Sequence, residues 1–127
     1  MLETARFTAF IPVRDIDVAR AFYVSTLGLT VTDESPFALS VDANGTPLRL
    51  TPVPDFEPQT FTIAGWQVAD MATAIDALIE LGVKFNRYDG MDQNERAIWE
   101  APGGGLVAWF SDPDGNTLSL SSPGATR

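Results

Sequence analysis

The sequence contains no histidine and no cysteine. Without histidine there is no Ser-His-Asp triad, no imidazole base near neutral pH and no His-ligated metal. Without cysteine there is neither a disulfide framework nor a thiol nucleophile. A carboxylate-only site for Mg²⁺, Mn²⁺ or Ca²⁺ is the metal chemistry that composition leaves open. Basic residues are also scarce. There are eight, seven arginines and Lys84, against seventeen acids, for a net charge of −9. They form no stripe, so phosphate backbones and anionic membranes are poor partners, and neither nucleic acid nor membrane is expected to bind. No apolar run approaches the ~20 residues of a membrane helix. The opening segment MLETARFTAF lacks the basic and apolar regions of a signal peptide, so a cytoplasmic location is expected.

What is present is enough for a folded domain. The 127 residues are 45 % hydrophobic, sufficient for a proper core. They also contain an internal repeat. PVRDIDVARAFYVSTLGLTV (12–31) resembles QVADMATAIDALIELGVKF (67–85). In each copy Val-x-Asp precedes a helical pattern that ends in Leu-Gly. Asp15 and Asp70 have the chemistry of N-caps, accepting hydrogen bonds from unpaired N–H groups of the first turn. Gly28 and Gly82 supply the left-handed conformation that stops a helix. Ile16, Ala19, Phe22, Tyr23 and Thr26 form one apolar stripe; Met71, Ala74, Ile75, Leu78 and Ile79 form the other.

The ends of the two halves match as well. ALSVDANGTPLRL (38–50) aligns with AWFSDPDGNTLSL (108–120) without a gap, placing Arg49 on Ser119. The Asp-x-Asn/Asp-Gly elements read as turns. A Ca²⁺ loop is the weaker reading of DPDGN, because the further ligands and a closing Glu are missing. Each half therefore reads strand, helix, then three strands, an α+β arrangement of two tandem βαβββ modules at about 5–53 and 60–122. The proline-containing TPVPDFEPQ joins them, and SSPGATR reads as a frayed tail.

Strand parity divides the side chains. Phe7, Ala9, Ile11 and Val13 belong under the first helix, and Thr8, Phe10 and Pro12 oppose them. Ala64, Trp66 and Val68 belong under the second helix, with Ile63, Gly65 and Gln67 opposite. Leu48, Leu50, Leu118 and Leu120 share the helix side. Arg49, Thr51, Thr117, Ser119 and Ser121 share the other. A face carrying Thr8, Phe10, Arg49, Gln67, Thr117 and Ser119 is mixed rather than dry, which suits a solvent-accessible concavity.

The paired modules, the run D-I-D-x-A-x-x-F-Y-x-x-x-L-G-L at 15–29 and F-x-D-P-D-G-N at 110–116 resemble the vicinal oxygen chelate superfamily. This is the glyoxalase, bleomycin-resistance and dioxygenase group, and the likeness runs from about 5 to 122. It implies a single glyoxalase-like domain over 1–127, with an eight-stranded cup-shaped sheet and the helices outside. In metal-dependent members four cup-facing positions carry His or Glu. The matching positions here are Thr8, Ile63, Arg49 and Ser119, and none offers either residue. The resemblance therefore implies a metal-independent binder that sequesters a small molecule, as bleomycin-resistance proteins do, with no metal or cofactor. The alternative is a glyoxalase-, lyase-, isomerase- or dioxygenase-like enzyme using atypical carboxylates such as Glu57, Glu95 or Glu100. A domain acting only through association with another protein is the third reading. The family builds cups within one chain or between two, so a homodimer is expected.

The candidate ligand-binding residues are Thr8, Phe10, Arg49, Gln67, Trp99, Trp109 and Ser119. Arg49 is an anion hook inside the cup, or else a surface or ion-paired arginine. Trp109 faces Ser119 if the hairpin parity is even, and stacks on a flat ligand if it lines the cup. Trp99 is a second such candidate, whereas Trp66 reads as core. No pair of acids is spaced for general acid/base work, and the Gly-rich APGGGLV reads as a hairpin or mobile rim rather than a phosphate loop.

Overall fold

A computed structural model of the chain describes residues 1–123. The chain forms two compact units, Met1–Glu57 and the part that begins at Pro58. The first contains β1 (Ala9–Val13), α1 (Ile16–Arg20) continued by a π-helical stretch (Ala21–Thr26), β2 (Thr30–Ser35), β3 (Ala38–Ala43) and β4 (Thr46–Pro52). The second contains β5 (Thr62–Gln67), α2 (Met71–Glu80), β6 (Trp99–Glu100), β7 (Leu106–Ser111) and β8 (Thr117–Ser122). Each unit builds its own four-stranded sheet, in the orders β1-β4-β3-β2 and β5-β8-β7-β6. In each, the first strand lies parallel to the last and the remaining pairs are antiparallel. This is the tandem βαβββ, mixed α+β arrangement that the repeat predicts.

The helices begin and end for the expected reasons. The Asp15 carboxylate accepts from the N–H groups of Asp17 (2.8 Å) and Val18 (3.2 Å), and that of Asp70 accepts from Thr73 N–H (3.1 Å). Gly28 and Gly82 adopt φ of +81° and +95°. The first helix departs from the predicted α winding at Ala21–Thr26, where Leu27 N–H donates to the Phe22 carbonyl five residues back. Val24 and Thr26 are β-branched and favour α-helix weakly, and the Thr26 hydroxyl donates back to the Ala21 carbonyl.

The leucines sort as parity requires: Ile11, Val13, Leu48 and Leu50 are buried in the first unit, and Ala108, Phe110, Leu118 and Leu120 in the second. Two apolar residues fall outside the core they were expected to join. Phe7 precedes β1 and is 72 % exposed, and Ile79 at the end of α2 is also exposed.

The gap-free alignment of the two hairpins holds for β4 and β8 but fails for β3 and β7. Arg49 pairs with Ser40 across the first hairpin, whereas Ser119 pairs with Trp109 across the second. Gap-free alignment matches Ser40 to Phe110 instead. The cause lies in the turns. The first is a two-residue loop, Asn44-Gly45, with φ of +52° and +98°, the signature of a type I′ turn. The second runs through five residues, 112–116, between the paired Ser111 and Thr117. There the buried Asp112 carboxylate accepts from the backbone N–H groups of Asp114 and Asn116 and from the Asn116 side-chain amide, all at 2.9 Å. The one-residue slip exchanges the faces of the preceding strand.

Candidate functional site

In the second unit, alternation along β7 sends Ala108 and Phe110 into the core. Phe110 stacks there on Trp66, ring centroids 6.4 Å apart, which keeps Trp66 on the helix side, though half-buried rather than fully enclosed. Trp109 points to the open face. Its indole N–H donates to the Thr62 hydroxyl at 2.9 Å, which fixes the ring plane. Tyr88 meets it edge-on at 5.7 Å and 84°, and Trp99 lies against it at 6.1 Å and 36°. All three rings remain partly exposed. Offset and edge-to-face contacts of this kind hold rings firmly while leaving a face free to stack on a guest.

Thr62 reaches this face because β5 carries a bulge. The register against β8 shifts between Thr62 and Ala64. The position expected to face the site from parity alone was Ile63; Thr62 takes it. Beyond the bulge Gly65 pairs with Ser119 and Gln67 with Ser121, and Gln67 is exposed. Gly65, Ser119 and Trp109 thus form one row across three strands. A Cβ at Gly65 would lie 2.2 Å from the Ser119 hydroxyl. The row is therefore shallow next to the indole, and Ser119 is part of its floor.

Tyr88 comes from the irregular segment after α2, which one polar side chain organises. The Gln93 carbonyl oxygen accepts from Tyr88 N–H at 2.8 Å, and its amide donates to the Asn86 and Ala97 carbonyls at 3.0 and 2.9 Å. Asn86 in turn bonds Trp109 through backbone (2.7 Å), and its side chain donates to Ser111 Oγ and Tyr88 Oη. Gln93→Leu is expected to cost about 1–3 kcal/mol in chemical denaturation, since it leaves three partners unpaired, and to broaden the Tyr88 ring resonances in NMR. Sharp, unshifted Tyr88 signals in that variant would show that Gln93 does not position the ring. A cleft of about 320 Å³ opens beside the rings, bounded by Phe61, Met91, Tyr88, Trp109 and Thr117. An adjoining hollow of about 450 Å³ shares Tyr88 and Thr117 with it and reaches Asn86 and Gln59. Tyr88, Thr62 and Gln93 were not singled out by sequence. Tyr88 and Gln93 sit in a stretch without periodicity, and Thr62 depends on the bulge.

In the first unit, Phe10, Arg49 and Ser40 form the corresponding row across β1, β4 and β3. The Thr8 hydroxyl is taken up by the Pro47 carbonyl at 3.3 Å. The Arg49 guanidinium lies over the Phe10 ring, 5.7 Å from its centroid, and Phe10 is 61 % exposed. Arg49 is neither a surface arginine nor ion-paired: it is half-buried, and no hydrogen bond or ion pair engages it among the described residues.

The four positions that the resemblance matches to metal ligands do not fit a metal here. Thr8 is committed to a backbone carbonyl, Arg49 is a cation, Ser119 is pressed over Gly65, and Ile63 has no donor. Nor do the acids substitute. Glu57, Glu95 and Glu100 are exposed, and no group of three or more acids that could hold a metal ion occurs among the described residues. The surface charge pairs serve the scaffold: on α2, a hydrogen bond from Arg96 holds the Asp76 carboxyl below the usual carboxylate range.

The family profile described as the Glyoxalase/Bleomycin resistance protein/Dioxygenase superfamily matches residues 5–120. Solved structures resemble the chain along almost its whole length. A member of that superfamily from Sphaerobacter thermophilus DSM 20745 is 26 % identical, with a TM-score of 0.75 over 96 % of this chain and 99 % of that one. TnmS3, an antibiotic binding protein from Streptomyces sp. CB03234, is 28 % identical, with a TM-score of 0.72 over 97 % and 98 %. A glyoxalase/bleomycin resistance protein from the same Streptomyces is also 28 % identical, with a TM-score of 0.65 over 91 % and 98 %. No curated protein matches. With the profile spanning both modules, the chain belongs to the glyoxalase/bleomycin resistance protein/dioxygenase superfamily.

Proposed function

We propose that the chain is a metal-independent small-molecule binding protein that sequesters a flat, aromatic ligand. The observation that carries this reading is the partly exposed cluster of Tyr88, Trp109 and Trp99, with Trp109 fixed by Thr62 and opening onto a shallow floor of Ser119 and Gly65. Stacking gains affinity from a π-face that is already ordered, so little side-chain entropy is lost on binding. The chemistry of the four metal positions supports the metal-free part, and the likeness to an antibiotic binding protein supports the choice of sequestration over catalysis. For that ligand the proposed contacts are Trp99, Trp109, Ser119 and Gln67 of the second unit; Thr8, Phe10 and Arg49 are proposed as ligand contacts on the first unit's own face. Assembly as a homodimer belongs to the proposal, and sedimentation equilibrium returning the 13.7 kDa mass of one chain would remove it.

The test is a thermal-shift and fluorescence panel of polycyclic aromatic compounds, glycopeptide-type antibiotics and divalent metals with chelator controls. A ligand at a hundredfold excess over its dissociation constant adds about 2.7 kcal/mol of stability. We expect aromatic compounds to raise the midpoint and quench tryptophan emission. Trp109→Leu should weaken the tightest of them about tenfold, or ~1.4 kcal/mol. A midpoint raised by metal and reversed by chelator would overturn the reading and send the search to the carboxylates.

A further inference from the structure

We infer that the first unit carries a site for a small monocarboxylate, centred on Arg49. The protein holds seventeen acids and eight bases, yet Arg49 has taken none of the acids as a partner. The other arginines described between residues 6 and 96 are engaged: Arg6, Arg14 and Arg87 donate to backbone carbonyls, and Arg20 and Arg96 pair with acids. Arg49 is instead held over Phe10 by a cation–π contact. Its Nε is buried with no partner, and so is the hydroxyl of Thr51, two residues along the same face of β4. Leaving a buried donor without a partner is unfavourable. Two on one strand face mark a position where an acceptor brings a net gain.

Geometry and charge narrow the acceptor. The guanidinium edge formed by Nε and one terminal nitrogen matches the two oxygens of a carboxylate. The terminal nitrogens keep contact with solvent, since only Nε of the three is sealed. A carboxylate arriving there engages them first and draws the flexible stem outward, which brings Nε into the pair. The exposed Phe10 ring beside it gives an apolar or aromatic body somewhere to lie. One cation inside a protein of net charge −9 favours a monoanion over a phosphate dianion, because the surrounding field penalises the second charge. This inference rests on the first unit's own face and stands whether or not the aromatic cluster of the second unit binds a ligand.

The experiment is a titration of the whole protein with 2-naphthoate and its neutral isostere 2-naphthamide, with inorganic phosphate as a third arm. Binding is followed by calorimetry and by the ¹H–¹⁵N signal of the Arg49 Nε–H. We expect naphthoate to shift the Nε–H signal and to bind at least tenfold more tightly than the amide. Arg49→Gln should abolish that difference and Arg49→Lys restore only part of it, whereas Trp109→Leu should leave it intact. The Nε–H signal of the unmodified protein keeps the test valid should Arg49→Gln fold poorly. Equal binding of acid and amide, a naphthoate response that survives Arg49→Gln, or phosphate matching naphthoate would each overturn the inference.

Discussion

Phe110→Ala is expected to remove about 3–5 kcal/mol of stability, the range for emptying a buried aromatic position. Phe110 is fully buried, stacks on Trp66 and packs against Phe85 at 5.5 Å. It also lies next to Trp109 in the chain, so the two residues separate stability from binding within one strand. Phe110→Ala should shift the unfolding midpoint by roughly 10 °C or more, while ligand affinity, measured where the variant is still folded, changes little. Trp109→Leu should do the reverse. A Phe110→Ala variant that unfolds like the unmodified protein would mean that β7 does not carry the core of its unit.

Gly65→Val is expected to cost about 3 kcal/mol, the upper part of the usual range for overpacking. A Cβ at this position meets the Ser119 hydroxyl at 2.2 Å and the Ser119 carbonyl at 3.1 Å. Rotating the hydroxyl away relieves the first contact and not the second. Ser119→Gly in the same chain should therefore recover part of the loss, a non-additivity that a double-mutant cycle in urea measures directly. Strict additivity would show that the two strands do not approach as closely as described. The same substitution also raises the floor beside Trp109, so it should weaken aromatic ligands even where the fold is retained.

The scaffold was largely legible because its signals are local. Asp15 and Asp70 cap, Gly28 and Gly82 stop, and alternating leucines declare which side of β4 and β8 is dry; each needs only a few neighbouring residues. The candidate site was less legible because its parts depend on registers that composition does not record. The parity of the second hairpin decided whether Trp109 faced Ser119, and the gap-free alignment with the first hairpin carries no information on how the two turns differ. The bulge in β5 put Thr62 rather than Ile63 on the open face. The place of Tyr88 beside Trp109 follows from Gln93, whose three hydrogen bonds leave no trace in any periodicity. Phe7 and Ile79 fit their apolar patterns and lie exposed at the ends of elements, where a pattern continues after the packing partner has stopped.

The five-residue turn at 112–116 has a bearing on how such a protein can change over generations. Every side chain on β7 owes its destination to the count of residues in that turn. Losing one of them would turn the strand over, presenting Phe110 and Ala108 on the open face and sending Trp109 toward the interior, with no residue of the strand itself mutated. Point substitution alters a binding surface one contact at a time. A length change in a turn replaces a whole row at once, at the risk of the core beneath it. Two modules with equivalent strands and unequal turns thus present two different surfaces on one strand order.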